Sequence, residues 1–245
     1  MRSKQLWLLA VLIITACRPA PVPEIPKITQ QIWKLNYTPA LSWLGPALSL
    51  CTFQQAGTGL VVNELPAAAL GTGQDSINFR WGAPDKLSGF PFVLGYDDLI
   101  IIVNAQNSIQ NLSKSDLQDI FNGHIHSWTA LKKVKAGSTG DIQVWAYPEE
   151  DEAQALFESV VLQNTFSNKS ASIAPDPGAM RGAVAANPAA IGILPARWLD
   201  KSIHAVNISD AIAETLRQPI LAITPAEPST GQKSWLLCLQ RTINP

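Results

Sequence analysis

Short apolar runs alternate with amphipathic stretches along most of the chain. Residues 99–103 are a continuous aliphatic run between polar residues, which is typical of a strand buried on both faces. Residues 152–162 instead place their apolar side chains at helical spacing, with Leu156, Phe157, Val160 and Val161 facing inward. Further strands are predicted at 33–36, 57–62, 75–81, 141–145, 191–194 and 220–223, and further helices at 38–50, 177–186 and 234–241. This alternation predicts an α/β fold, with ligands at the carboxyl ends of the strands.

The clearest local signals lie in residues 111–128. Ser113 is a good N-cap for a helix, and Asp116 stands at the third helical position. An apolar stripe follows at helical spacing and faces a core: Leu117, Ile120 and Phe121. Gly123 supplies the left-handed residue that ends a helix. A helix is therefore predicted between Ser113 and Gly123.

The first sixteen residues predict a targeting segment rather than part of the fold. Arg2 and Lys4 precede an apolar run that is shorter than the ~20 residues needed to span a bilayer. Residues 14–17, Ile-Thr-Ala-Cys, resemble a bacterial lipobox, which implies cleavage before Cys17 and its lipidation. An uncleaved anchor and a plain signal peptide are the alternatives, and each of the three exports the protein. Residues 17–29 are rich in proline and predict a stiff tether.

Composition and motifs narrow the function further. Charged residues make up 15% of the chain and the formal net charge is −1. The chain therefore lacks the excess of basic residues that nucleic-acid binding requires. The sequence has no nucleophile elbow, zincin motif, dinucleotide-binding motif or P-loop, and the interpretation is a non-enzyme without a cofactor. His124 and His126 alone would make a poor metal site, so no metal is expected.

Three blocks of sequence resemble the phosphate-type solute-binding proteins of bacterial ABC importers. They are LGYDDLIIIVN at 94–104, NLSKSDLQDIFNGHIHSW at 111–128 and VAANPAAIG at 184–192, in the same order and at similar spacing. The resemblance implies the type 2 periplasmic binding protein fold, a two-lobe Venus flytrap with a ligand cleft between its lobes. Hinge closure around a solute is the mechanism of that class.

The same resemblance implies the organisation and partners of the protein. The first lobe would take residues 30–102 plus 204–245, and the second lobe residues 103–203. The protein would be a monomer that is lipid-anchored on the outer side of the bacterial cytoplasmic membrane. It would pass a small solute, phosphate or another oxyanion, to an ABC permease. The alternative is a cell-surface sensor or interaction module on the same fold, with a degenerate ligand site.

Two candidate ligand-binding residues lie in the first lobe. Phosphate-binding relatives hold the anion with hydroxyls, backbone amides and an arginine at helix N-termini, where the helix dipole favours negative charge. Thr38 stands at the first such turn, and its alternative role is that of an ordinary N-cap. Arg80 follows a strand where the family carries a Ser-Arg pair, and its alternative is an exposed position at a strand end.

The second-lobe site departs from the family pattern. Residues 147–152, Tyr-Pro-Glu-Glu-Asp-Glu, replace the arginine and the Ser-Gly-Thr loop of phosphate binders, and Tyr147, Glu149 and Asp151 are the candidates there. A carboxylate at ~4 Å opposes a bound anion by ~4 kcal/mol at an effective dielectric near 20. This loop predicts a cationic, neutral or metal-bound ligand, unless its acids point away and only complement the helix dipole.

The cysteines and tryptophans leave two further alternatives open. An exported protein with Cys51 and Cys238 can form one disulfide, which a two-lobe fold permits if an early helix lies beside the last one. The alternative is a pair of buried thiols.

Most tryptophans are expected in the core, while Trp81 and Trp145 near strand ends could face the cleft.

Overall fold

The structure is a computed structural model that describes residues 31–70, 76–131, 140–165, 170–208 and 212–244. The predicted targeting segment, Cys17 and the tether lie outside these ranges. The described residues form ten strands: β1 (Gln31–Tyr37), β2 (Thr58–Glu64), β3 (Ser76–Trp81), β4 (Phe90–Asn104), β5 (Asn111–Leu112), β6 (Gln143–Ala146), β7 (Ser172–Ile173), β8 (Ala190–Pro195), β9 (Ile203–Ile208) and β10 (Arg217–Thr224). They also form five α-helices: α1 (Gly45–Phe53), α2 (Lys114–Phe121), α3 (Glu152–Phe157), α4 (Pro177–Ala186) and α5 (Thr230–Ile243).

The long strand β4 connects two lobes. The sheet runs in the order β2-β1-β3-β10-β4-β8-β6-β7, and β9 pairs with both β4 and β5. Strand β4 pairs with β10 up to Asp98 and with β8 from Leu99 onward. We call the half of the sheet with β1, β2, β3 and β10 the first lobe, and the half with β6, β7, β8 and β9 the second lobe. The α/β two-lobe fold is confirmed, while the residue boundaries given above stay a prediction.

The core of the first lobe lies between its sheet and helices α1 and α5. The indole of Trp235 in α5 packs edge-on against Trp33 of β1 and Phe79 of β3, with ring centroids 5.3 and 5.9 Å apart. A disulfide between Cys51 and Cys238 joins α1 to α5, so the structure adopts the bridged alternative for these cysteines. The bridge fixes α5 to α1, with Cys51 buried and Cys238 half-buried.

Helices α2, α3 and α4 belong to the second lobe. The rings of Phe121 in α2 and Phe157 in α3 meet edge to face, with centroids 4.6 Å apart. The amide of Asn104, at the end of β4, donates hydrogen bonds to the carbonyls of Val184 and Ala185 in the last turn of α4. These bonds satisfy helix-end carbonyls that would otherwise be buried without partners.

Most elements follow the sequence pattern, with a few corrections. The capping box of Ser113 and Asp116 is present at the start of α2. Gly45 and Pro46 predict a kink or a split in the helix 38–50, and the structure has a 3₁₀ helix, Pro39–Leu44, followed by α1. Helix α3 continues into a π turn at Glu158–Leu162. Strand β9 was not predicted, and α5 begins four residues before its predicted start. Among the described residues, the helices are all too short or too polar to cross a bilayer.

Replacing Gly89 with alanine is expected to destabilise the protein by about 2 kcal/mol or more. Gly89 has φ +94°, and an added Cβ would overlap the carbonyl oxygen of Thr224 on β10. Gly59→Ala is the matched control, because a Cβ at that exposed position of β2 meets no atom within 4 Å. Urea denaturation measures both variants, and equal midpoints for the two would contradict the expected strain at Gly89.

Candidate functional site

A cleft of about 600 Å³ opens between the two lobes. One wall comes from the first lobe and carries Arg80, Trp81, Asp85 and Gln218. The opposite wall comes from α3, the loop before it and the π turn after it, with Glu150, Asp151, Glu152, Leu156 and Ser159. The lining therefore holds four carboxyl groups and one guanidinium, so acidic side chains outnumber basic ones.

An ion pair joins the two walls of the cleft. The Nη2 atom of Arg80, near the end of β3, lies 2.8 Å from Oε1 of Glu152, the first residue of α3. Both side chains are largely withdrawn from solvent, with 18% of Arg80 and 9% of Glu152 exposed. The pair connects the first lobe to the second across the cleft.

Burial dominates the electrostatics of Glu152. It raises the pKa of this carboxyl group from the ordinary 4.5 to about 7, while the charge of Arg80 acts in the opposite direction. The Thr38 hydroxyl and the Trp81 backbone amide also lower this pKa, and the nearby Asp151 raises it. These contacts are loosely aligned: within the described residues, neither Glu152 oxygen nor Thr38 Oγ1 has a partner at full hydrogen-bonding geometry.

Thr38 and Arg80 are brought to the same place, against Glu152. Thr38 is buried and stands at the N-cap position before Pro39, with an extended backbone, but its side chain makes no capping hydrogen bond. The alternative of an ordinary N-cap is therefore wrong for the Thr38 hydroxyl, which points toward the carboxylate instead. Whether Thr38 and Arg80 bind a solute stays a prediction.

The three second-lobe candidates occupy different environments. Asp151 caps α3, accepting hydrogen bonds from the amides of Ala153 and Gln154, and burial raises its pKa. Tyr147 is buried, and the described residues offer no hydrogen-bond partner to its hydroxyl. Burial and the nearby acids hold its pKa well above the usual value. Glu149 is exposed and does not line the cleft.

A family comparison identifies the fold. Residues 89–234 match the family described as the PBP superfamily domain, which is more than half of the chain. The chain belongs to the PBP superfamily. The fold predicted from the three sequence blocks is thereby confirmed.

Solved structures of the same fold include transport receptors and a regulatory domain. A putative phosphate ABC transporter substrate-binding protein from Clostridium perfringens, with bound phosphate, aligns at a TM-score of 0.70 and 18% identity over 85% of this chain and 93% of its own. An ABC-type phosphate transport receptor from Vibrio cholerae aligns at 0.62 and 19% identity, with the same coverages. The reduced OxyR regulatory domain from Pseudomonas aeruginosa aligns at 0.57 and 12% identity, over 86% of this chain and 98% of its own. At these identities the likeness shows the PBP fold alone.

The tryptophans divide between cleft and core. Trp81 belongs to both, because its ring is buried while the residue lines the cleft. Its Nε1 donates to Asp97 of β4 over 3.2 Å, and burial raises the pKa of Asp97 to about 6. Trp145 is half-buried against the core of the second lobe and does not line the cleft.

Glu152 is the residue of this PBP superfamily site that the sequence did not single out. It lay within the acidic loop 147–152, but the candidates chosen there were its neighbours. The helix start sets Asp151 apart from the other acids of the loop, because an acid that caps a helix commits its oxygens to backbone amides. Asp151 is that cap here, and Glu152 reaches Arg80.

Proposed function

We propose that the protein is an extracytoplasmic solute-binding lipoprotein of an ABC importer, with a binding role and no catalytic one. It is anchored through a lipidated Cys17 on the outer side of the cytoplasmic membrane and works as a monomer. It holds a small solute between its two lobes and delivers it to the permease. The observation that carries this proposal is the cleft of about 600 Å³ lined by residues of both lobes.

The charge of the cleft supports a neutral or cationic solute rather than free phosphate. The guanidinium of Arg80 is already paired with Glu152. The remaining acids at the opening, Asp85 and Glu150, are exposed and line the cleft without a second basic residue among the described ones. An arriving anion would meet their repulsion, whereas an amine or a polyhydroxylated solute would not.

A second candidate function is a sensor or interaction module that takes no solute. The ion pair between Arg80 and Glu152 favours it, because in this contact a side chain of one lobe takes up the basic group of the other. In that role a partner protein would bind the acidic side chains that line the cleft.

A solute panel is expected to separate these functions. The purified full-length protein is titrated with inorganic phosphate, sulfate, glucose, glycine betaine and spermidine, and tryptophan emission is read together with thermal unfolding. A solute at ~100 times its dissociation constant should stabilise the fold by ~2.7 kcal/mol. We expect saturation by a neutral or cationic member of the panel. Silence to all five would move the assignment to the sensor.

Two acidic residues of the same loop, Glu150 inside the cleft and Glu149 outside it, provide a control for binding in the cleft. Glu150→Gln removes a charge that lines the cleft, whereas Glu149→Gln removes an exposed neighbouring charge outside the lining. For a cationic solute, the dissociation constant is expected to rise several-fold in Glu150→Gln and to change little in Glu149→Gln. Equal effects of the two changes would indicate a general surface charge effect and not binding in the cleft.

A further inference from the structure

Several buried polar groups converge at one point of the cleft. The Thr38 hydroxyl, the Arg80 guanidinium and the Trp81 amide all act on the carboxylate of Glu152. Thr38 is 2% exposed and the Glu152 side chain 9%, so water does not solvate this group of atoms freely. A hydroxyl, an amide and a guanidinium around one negative group are the donors that oxyanion recognition uses.

The carboxylate satisfies these donors incompletely. Arg80 reaches it through Nη2, but Arg80 Nε is buried without a hydrogen-bond partner in the described part of the chain. The same holds for Thr38 Oγ1. Buried polar atoms nearly always have partners, so these two unused groups, beside a carboxylate whose own oxygens are also poorly aligned, mark a position that the Glu152 side chain fits imperfectly. A tetrahedral oxyanion has more acceptor oxygens than a carboxylate and would fill it better.

We propose that Glu152 is a built-in anion that determines specificity: its carboxylate occupies an oxyanion position formed by Thr38, Arg80 and the Trp81 amide, and excludes free oxyanions from it. The negative charge is supplied by the second lobe itself, through the first residue of α3. A phosphate or sulfate ion would have to displace this side chain and bear the repulsion of its charge. This inference uses the cleft of the proposed function, but it concerns a ligand that the native protein rejects.

The test is a change of Glu152 to serine, which removes the carboxylate and leaves room for an oxyanion. The full-length Glu152→Ser variant is titrated calorimetrically with inorganic phosphate and with sulfate at pH 8, beside the wild type. We expect the variant to bind at least one of them about 100-fold or more tighter than the wild type, since a like charge at ~4 Å weighs up to three orders of magnitude in affinity. Wild-type binding equal to that of the variant would overturn the proposal.

Three further variants isolate the cause. Glu152→Ser with Arg80→Gln should lose the gained affinity, and Glu149→Ser, an exposed acid of the same loop, should gain none. Glu152→Gln keeps the side-chain volume and removes only the charge, so it serves as a second variant and should also gain affinity over the wild type. If the variants fold, as near-ultraviolet circular dichroism shows, and neither binds an oxyanion, the built-in anion is refuted. A failed solute panel with the wild type would leave this result unaffected.

Discussion

Replacing Arg80 by methionine is expected to destabilise the protein by about 1.5 kcal/mol at pH 8, because a buried Glu152 without its partner takes up a proton instead of staying charged. Methionine keeps most of the side-chain volume, so the lost free energy comes from the charge. Glu152, 9% exposed, would remain buried opposite no guanidinium. Urea denaturation followed by circular dichroism measures the free energy of unfolding.

The effect of Arg80→Met should depend on pH in one direction. Burial already raises the pKa of Glu152 to about 7 in the wild type, and loss of Arg80 raises it further. A carboxyl group whose pKa is higher in the folded than in the unfolded protein binds its proton more tightly when the protein is folded. Its contribution to stability is fully present below the unfolded pKa, near 4.5, and is lost as the pH rises through the folded pKa. The destabilisation by Arg80→Met should therefore be small at pH 4.5 and grow above pH 7.

A double variant supplies the control for this effect. Arg80→Met with Glu152→Gln removes both charges, so it should recover most of the stability at pH 8 and lose the pH dependence. A loss of less than about 1 kcal/mol in Arg80→Met, or one that is equal at pH 4.5 and pH 8, would show that the pair is solvated and contributes little.

Removal of the disulfide is expected to have a larger effect. Cys51 and Cys238 are 187 residues apart in sequence, and a cross-link over a loop of that length restricts the unfolded chain by about 5 kcal/mol in the chain-entropy account. The variant Cys51→Ala with Cys238→Ala should unfold at a clearly lower urea concentration than the wild type.

Reduction of the wild type provides the matching measurement. With dithiothreitol, the wild type should unfold close to the midpoint of the double alanine variant, while the variant itself should not respond to the reductant. Coincident unfolding of the oxidised wild type and the variant would mean that the bridge adds little to stability, because α1 and α5 are held by the packing around Trp235.

The sequence predicted those elements whose signals lie within a few neighbouring residues. Helix α2 has its cap, its apolar stripe and its terminating glycine inside 111–128. Strand β9 gave no such signal, because its sequence mixes polar and apolar residues and its extended form depends on pairing with β4 and β5. The early start of α5 was readable in principle, since Ser229 and Gln232 form a capping box.

The site was predictable as a region but not as a set of contacts. Thr38 and Arg80 were identified by resemblance to a family pattern and the acidic loop by its departure from it, and the structure places Thr38 and Arg80 against Glu152 of that loop. Which of the loop acids meets Arg80 depends on how the two lobes face each other. No local pattern encodes that geometry, so Glu149 and Glu152 could not be told apart by charge alone.

The position of β10 between β3 and β4 has a consequence for how the protein is made. Residues 217–224 follow β3 and β4 by more than 100 residues, so in a chain that emerges from its N-terminal end the gap between these two strands stays open until the last strand arrives. The longer strands of the second lobe, from the end of β4 through β9, are by then complete and can assemble first. The first lobe is completed only when β10 is inserted, and until then the unpaired edges of β3 and β4 are open to non-native strand pairing.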